Sequence, residues 1–286
     1  MSYLVHGASG AQGSPVVSGL LAAHREVTAL GREASQPAPI NHLAVDYGDV
    51  DSLAAAYQGA EGLFIHLPLG APDVIAGYAA NITEAVVRAR PARIVVSTSG
   101  QIIDAPGHPL QQPADSPLPR LIAALSEAEL SAAVTAPRLF LENLLLPPVI
   151  DGVMSDGVLR YPVREDYRVS WASHLDVADA AVALLLDPHV TGVVGIGAPT
   201  GTTGPELAAA FAAHLGKDVR FEQITPAEFG AMITPLFGAA ATAGVVALYE
   251  AQWTLPDSLI NADTSETAQL GIAARSAEEW LRDIAL

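Results

Sequence analysis

An apolar run that stops at a glycine, two further glycines at three-residue intervals, and an amphipathic stretch directly after them leave a chain few ways to fold. Here Tyr3–His6 gives way to Gly7, Gly10 and Gly13, and the following residues are apolar at 16, 17, 20, 21 and 23, one face of a helix. A glycine inside regular structure costs about 0.5–1 kcal/mol against alanine, so three together mark backbone that turns tightly or lets something come close. Strand, glycine turn and helix bring free N–H groups and the positive end of a helix dipole to one point, where a pyrophosphate is stabilised. The spacing is a variant of the dinucleotide fingerprint, and the strand before and helix after are the context that fingerprint requires. An ordinary tight turn is the other reading of the glycines alone.

The first half continues in alternation. Strands are predicted over Glu26–Leu30, His42–Val45, Gly62–Leu67 and Ala92–Ser97, and helices over Asp49–Gly59 and Ala71–Ala89. Short, nearly continuous apolar strands between helices are what a parallel sheet covered on both faces needs. Residues 102–119 read as a loop, 121–134 as a helix, and 137–144 as a sixth strand turning into a helix. Beyond residue 150 the elements are shorter: helices over Asp176–Leu186 and Pro205–Leu215, strands over Val193–Ile196 and Val219–Gln223, and a helical stretch over 229–251 interrupted by Pro235 and Gly238. The expected fold class is α/β, a Rossmann-type doubly wound parallel sheet with a small C-terminal substrate lobe. The expected division is a cofactor-binding domain over 1–150 and a lobe over 151–286, with segments of the two interleaved.

In such sheets ligands lie at the carboxyl ends of the strands. That selects Gly7, Ser9, Gly10, Ala11, Gln12 and Gly13 of the turn, Arg32, Asp46 and Tyr47, His66, Leu67 and Pro68, and Ser97 to Ser99. An acidic residue after the second strand would meet the ribose of NAD, whereas an arginine suits the 2′-phosphate of NADP. The strand ends Ala29-Leu30-Gly31-Arg32, which favours NADP(H), although Glu33 lies beside the arginine. Ser97 and Ser99 are either contacts to cofactor or substrate, as hydroxyls that orient a carbonyl, or a strand-end turn. His66 reads as a structural histidine whose backbone passes the cofactor ribose, and His108 as a loop residue within reach of substrate.

Composition narrows the partners. The chain has 31 acidic and 14 basic residues, a net charge of −17, which disfavours nucleic acid. Arg88, Arg90 and Arg93 form the one close basic cluster, read as a solvated helix end. There is no cysteine, hence no disulfide and no zinc–thiolate site, and no metal is expected. Neither a long apolar span nor a basic region before the first apolar run is present, so a cytoplasmic protein without membrane attachment, a monomer or homodimer, is the expectation.

Five segments together resemble the NmrA-like group of atypical short-chain dehydrogenases: residues 7–13, 29–32, 45–53 leading into 59–64, 137–144 and 169–181. The resemblance implies a Rossmann domain with a small C-terminal lobe, NADP(H) as cofactor, and either reduction of a carbonyl or quinone or cofactor sensing without turnover. It also implies that Phe140 and Asn143 lie beside the nicotinamide and Trp171 beside substrate. Glu142 and Asn143 read equally as helix-entry caps, and His174 with Asp176 as an interlobe hydrogen bond. Most short-chain dehydrogenases carry a Tyr-x-x-x-Lys pair. Lys217 is the one lysine among fourteen basic residues, and four places before it stands Ala213, so that pair is absent. Within the group the chain looks most like ketoreductases acting on angucyclinones, such as that of simocyclinone biosynthesis. There an aromatic polyketide whose own phenol bonds the reacting carbonyl would need no tyrosine. A regulator that senses NADP(H) and a general NADPH quinone reductase are the alternatives.

Overall fold

Residues 2–31, 40–68 and 70–286 are described by a computed structural model of the chain. Strand β1 (Tyr3–His6) is followed by α1 (Gly13–Ala22), β2 (Val27–Gly31), β3 (Asn41–Ala44), α2 (Val50–Tyr57), β4 (Gly62–His66), α3 (Pro72–Ala89) and β5 (Ile94–Ser97). A loop leads to α4 (Pro117–Glu127), β6 (Ala132–Pro137), the two-residue β7 (Leu139–Phe140), α5 (Pro147–Asp156) and β8 (Val158–Tyr161). Then come β9 (Arg168–Val169), β10 (Trp171–Ala172), α6 (His174–Leu186), β11 (Gly192–Ile196), α7 (Gly204–Leu215) and β12 (Arg220–Gln223). The last elements are α8 (Pro226–Phe237), α9 (Ala239–Trp253), β13 (Asp257–Ser258), α10 (Glu266–Leu270) and α11 (Ala277–Asp283).

The main sheet has seven parallel strands in the order β3-β2-β1-β4-β5-β6-β11. The chain winds one way from β1 and the other way from β4, so the switch point, where such sheets open a ligand crevice, lies between those two strands. Strand side chains alternate between two cores. Val5, Phe64 and Val95 pack under α1 and α6, with Val16, Leu20, Val177 and Leu184. Leu4, Leu63, Ile65 and Val96 pack under α2, α3 and α4, with Leu53, Ile82 and Leu121. A third core, built on Leu159, Tyr161, Phe211, Phe229 and Trp280, belongs to the lobe. Among the described residues no helix is long and apolar enough to cross a membrane.

Three expectations are corrected. The helix read over 121–134 is α4, which stops at Glu127, and Ala132–Pro137 is already strand β6. Of the two interruptions expected in the helical stretch over 229–251, Gly238 divides it into α8 and α9, with a φ of 78° that only glycine adopts freely, whereas Pro235 lies inside α8. Arg93 is not solvated. It is buried at the start of β5, donating from Nε to Leu184 O (2.8 Å) and from Nη1 to Ser131 Oγ (3.1 Å), and so ties β5 to the end of α6.

The end of the chain returns to the sheet. Ser265 bridges Gly195 on β11, and Glu266, fully buried, accepts the Gly197 N–H at 3.0 Å. Arg275 clasps Asp176, Asp179 and Asp283 at 2.7–2.9 Å. Burial lifts the Glu266 carboxyl from 4.5 to about 8. Between those values the folded state holds a proton that the unfolded state has released, so this residue's contribution to stability is complete below pH 4.5 and is lost as pH rises to about 8. The slope is on the order of 1 kcal/mol per pH unit. Glu266→Gln should therefore gain thermal midpoint relative to the parent as pH climbs through that window. A constant difference across the window would show that Glu266 is ionised in the fold.

Candidate functional site

The glycine turn is built by its own backbone. Gly7 holds a φ of 57°, its carbonyl accepts the Gly10 N–H at 2.8 Å, and the Gly10 carbonyl accepts the Ser14 N–H at 2.9 Å. Two neighbours press on it. A Cβ at Gly13 would stand 2.2 Å from Gly7 O, and one at Gly7 would stand 2.4 Å from His66 Nε2. Gly13 thus lets α1 sit directly on the end of β1, and Gly7 makes room for an imidazole from β4. Ser9, Gly10 and Ala11 are exposed above this packing, and the amides of Ala11 and Gln12 have no acceptor among the described residues. Open amides at the start of a helix fit a pyrophosphate.

At the end of β5 the chain bends through two left-handed residues, Ser99 (φ 52°) and Gly100 (φ 87°). Ser97, 1% exposed, donates from Oγ to Gln12 Oε1 at 2.7 Å. Gln12 Nε2 donates to Ser99 Oγ at 3.0 Å, and the Ser99 N–H donates to Ser97 Oγ at 3.2 Å. One amide side chain therefore joins the turn after β1 to the turn after β5. Thr98, between Ser97 and Ser99, is fully buried, its N–H donating to Thr135 O at 2.9 Å.

The far wall is made where β7 pairs with β10, Ala172 opposite Phe140. The Phe140 ring lies 4.0 Å from the Cβ that Gly100 lacks and 4.5 Å, centroid to centroid, from the ring of His174 at the start of α6. Glu142 Oε1 accepts the His174 backbone N–H (3.0 Å) and Trp280 Nε1–H (3.2 Å). Burial raises the Glu142 carboxyl, those hydrogen bonds opposing it. Burial lowers His174 to about 4 and lowers His66 as well, so both imidazoles are neutral at physiological pH. His66 Nε2 is buried against the glycine turn with no hydrogen-bond partner among the described residues. Asn143, half-buried, follows Glu142 in the short helical turn after β7.

The other residues read from the sequence fall in several places. Leu67 is buried and Pro68 half-buried just past β4. Asp46 is exposed at the end of β3, where its Oδ1 accepts the Gly48 N–H at 2.8 Å. Tyr47 is buried, its ring against His6 and Tyr78 and its carbonyl taking Asn81 Nδ2–H at 2.9 Å. Arg32 lies outside the described residues. His108 is half-buried in the loop, where its Nδ1 accepts the Leu110 N–H at 3.1 Å. Trp171, expected beside substrate, is 5% exposed, edge-on to Tyr161, with Nε1 donating to Thr202 O at 3.2 Å. His174 and Asp176 do not form a pair. Asp176 accepts the Ser173 N–H in a capping box and binds Arg275, while His174 turns to Phe140 and Glu142.

A model of the NmrA-like family matches residues 2–281. The chain belongs to the NmrA-like family. Its curated relatives include the NAD(P)H azoreductase of Xenophilus azovorans, 32% identical over 232 aligned positions that cover 78% of this chain and 77% of that one. Among solved structures, the Citrobacter sp. triphenylmethane reductase superposes with a TM-score of 0.80 at 18% identity, covering all of both chains. The NADPH-dependent quinone oxidoreductase of Escherichia coli gives 0.74 at 19% identity, covering 99% of this chain and 100% of that one. At such identity the two structures establish the shared fold alone.

Two features of this NmrA-like crevice escaped the sequence reading. One is the Gln12 side chain, taken only as part of the turn. The other is the imidazole of His66, which explains Gly7 as much as the backbone does. A glutamine at the start of α1, where a short capping side chain is preferred, was the available signal for the first.

Proposed function

We propose that this chain is an NADP(H)-dependent reductase that delivers hydride to the carbonyl of an aromatic ketone or quinone. The observation that carries the reading is the Gln12 bridge, which holds open turn amides and a pair of serine hydroxyls across a single crevice. The first suit a pyrophosphate and the second a carbonyl oxygen. The relatives named as azoreductase, triphenylmethane reductase and quinone oxidoreductase support a nicotinamide cofactor and a broad reductive chemistry. Arg32 is the residue proposed to meet the 2′-phosphate, and Phe140 and Asn143 to flank the nicotinamide.

Bound NADPH supplies the hydride. The chain's part is to hold the cofactor on the turn, orient the acceptor and exclude water, and positioning alone supplies much of a rate. With no Tyr-x-x-x-Lys pair in the chain, the proton has another source. A phenol on the substrate, hydrogen-bonded to its own carbonyl, provides it and stabilises the developing alkoxide. Aromatic polyketides of the angucyclinone kind have that arrangement, and they are the narrower form of the proposal.

The test is to incubate the purified protein with NADPH and a panel of naphthoquinones and ortho-hydroxyaryl ketones while following NADPH absorbance. Steady oxidation is expected, and Arg32→Ala should weaken NADPH well beyond NADH, since only NADPH loses a charge-assisted contact. Tight NADPH binding without oxidation of any acceptor would replace the reductase by a redox-sensing regulator.

A further inference from the structure

Building on the reductase reading, we propose that Gln12 is a positioning residue which fixes the Ser99 hydroxyl, and not that of Ser97, as the hydrogen-bond donor to the substrate carbonyl. The hydrogen bonds around Gln12 run in one direction. The Ser99 N–H donates to Ser97 Oγ, Ser97 Oγ–H to Gln12 Oε1, and Gln12 Nε2–H to Ser99 Oγ. A hydroxyl has one proton to give. That of Ser97 is spent on Gln12, in a side chain only 1% exposed. That of Ser99 has no acceptor among the described residues, and Ser99 is half-buried rather than enclosed. The chain of donors therefore ends in one free O–H at the end of β5, and aligned donors of this kind polarise one another.

Two further observations fit a maintained device. Gln12 occupies the N-cap position of α1, yet its side chain makes no bond to the helix, so the cap it would otherwise provide is given up. Ser99 holds a φ of 52°, a conformation that a residue with a Cβ adopts only under constraint from its surroundings. Because Gln12 belongs to the turn that takes the cofactor, the donor is set in place by the same segment that would hold the pyrophosphate.

The experiment uses the full chain, saturating NADPH and a naphthoquinone as acceptor. A second measurement, quinone affinity in the presence of NADP+, does not depend on turnover. Ser99→Ala should lower kcat by about 10²-fold, the loss seen when one donor to a developing oxyanion is removed, and should weaken quinone binding to the NADP+ complex. Gln12→Ala should cost nearly as much, and the double variant no more than Ser99→Ala alone, since both remove one device. Gln12→Glu is the sharper probe. A carboxylate only accepts, so it draws the Ser99 proton inward and should match Ser99→Ala in kcat after NADPH is resaturated. If Ser99→Ala changes neither kcat nor quinone affinity while the parent oxidises NADPH, the proposed donor is overturned and the reductase stands. If the quinone binds with this pattern of variants yet no NADPH is oxidised, the carbonyl site stands and the reductase reading fails. Purely additive losses for Gln12→Ala and Ser99→Ala would overturn the coupling between them.

Discussion

Gly10→Val should abolish NADPH binding, weakening it by about 10²-fold or more, while the protein stays folded. Gly10 is exposed at the crest of the turn, and a Cβ there meets only Gly7 O, at 3.2 Å. The backbone can yield a few tenths of an ångström to such a contact. The two methyl groups, however, project into the space where the open amides of Ala11 and Gln12 would meet phosphate oxygens. Fluorescence titration with NADPH, paired with a thermal unfolding curve, separates the two effects. Retained affinity in a folded variant would mean that the turn only shapes the backbone. Gly13 is the contrasting position, because a side chain there would collide with backbone at 2.2 Å and damage the fold itself.

Asp104→Ala should destabilise the protein by about 3–5 kcal/mol, the cost of leaving a buried charge without its partner. Asp104 Oδ2 lies 3.0 Å from Arg138 Nη2, and the two side chains are 12% and 4% exposed. Arg138 also donates from Nε to Leu259 O at 3.3 Å. The pair thereby fastens the loop after β5, which closes on itself where Gln112 N–H meets Ile102 O, to the strand end that carries Phe140. Urea unfolding measures the loss. Replacing both partners by apolar residues, Asp104→Leu with Arg138→Met, should recover much of it, because no charge then lies buried alone. A loss under about 1 kcal/mol for Asp104→Ala would place the pair with ordinary solvent-screened surface bridges.

The sheet and its switch point were readable because parallel strands covered on both faces must be short apolar runs, and because helices between them carry the 3.6-residue period. What blurred was the punctuation. In the first half, chain reversals after α1, α3 and α4 fall on His24, Arg90 and Glu129, all with φ between 52° and 56°. With no glycine to mark the stop, the apolar period of α4 ran on into β6. In the lobe, α5, α7 and α10 end on Gly157, Gly216 and Gly271, the usual left-handed caps. The turn residues of the crevice were legible from spacing. The tie between Gln12 and Ser97, 85 positions apart, was not, because no local pattern encodes a long-range side-chain contact. Trp171 is ambiguous for a related reason. A large aromatic next to a helix cap suits a binding wall and a lobe core alike, and its indole N–H found a backbone acceptor in the core.

The placement of β11 has a consequence for engineering by recombination. This strand forms the outer edge of the main sheet beside β6, yet it enters the chain only after α5, β8, β9 and β10 have built part of the lobe. A chimaera that exchanged everything after residue 150 with a relative would strip the sheet of an edge strand, of α6 beneath it, and of the clasp along it that Ser265 makes with Gly195 and Glu266 with Gly197. Acceptor preference cannot be transplanted here as one cassette. Productive crossovers would have to leave residues 173–197 with the host and graft the segments on either side of them, so that two cuts, chosen together, replace the single cut that the chain's two-part appearance invites.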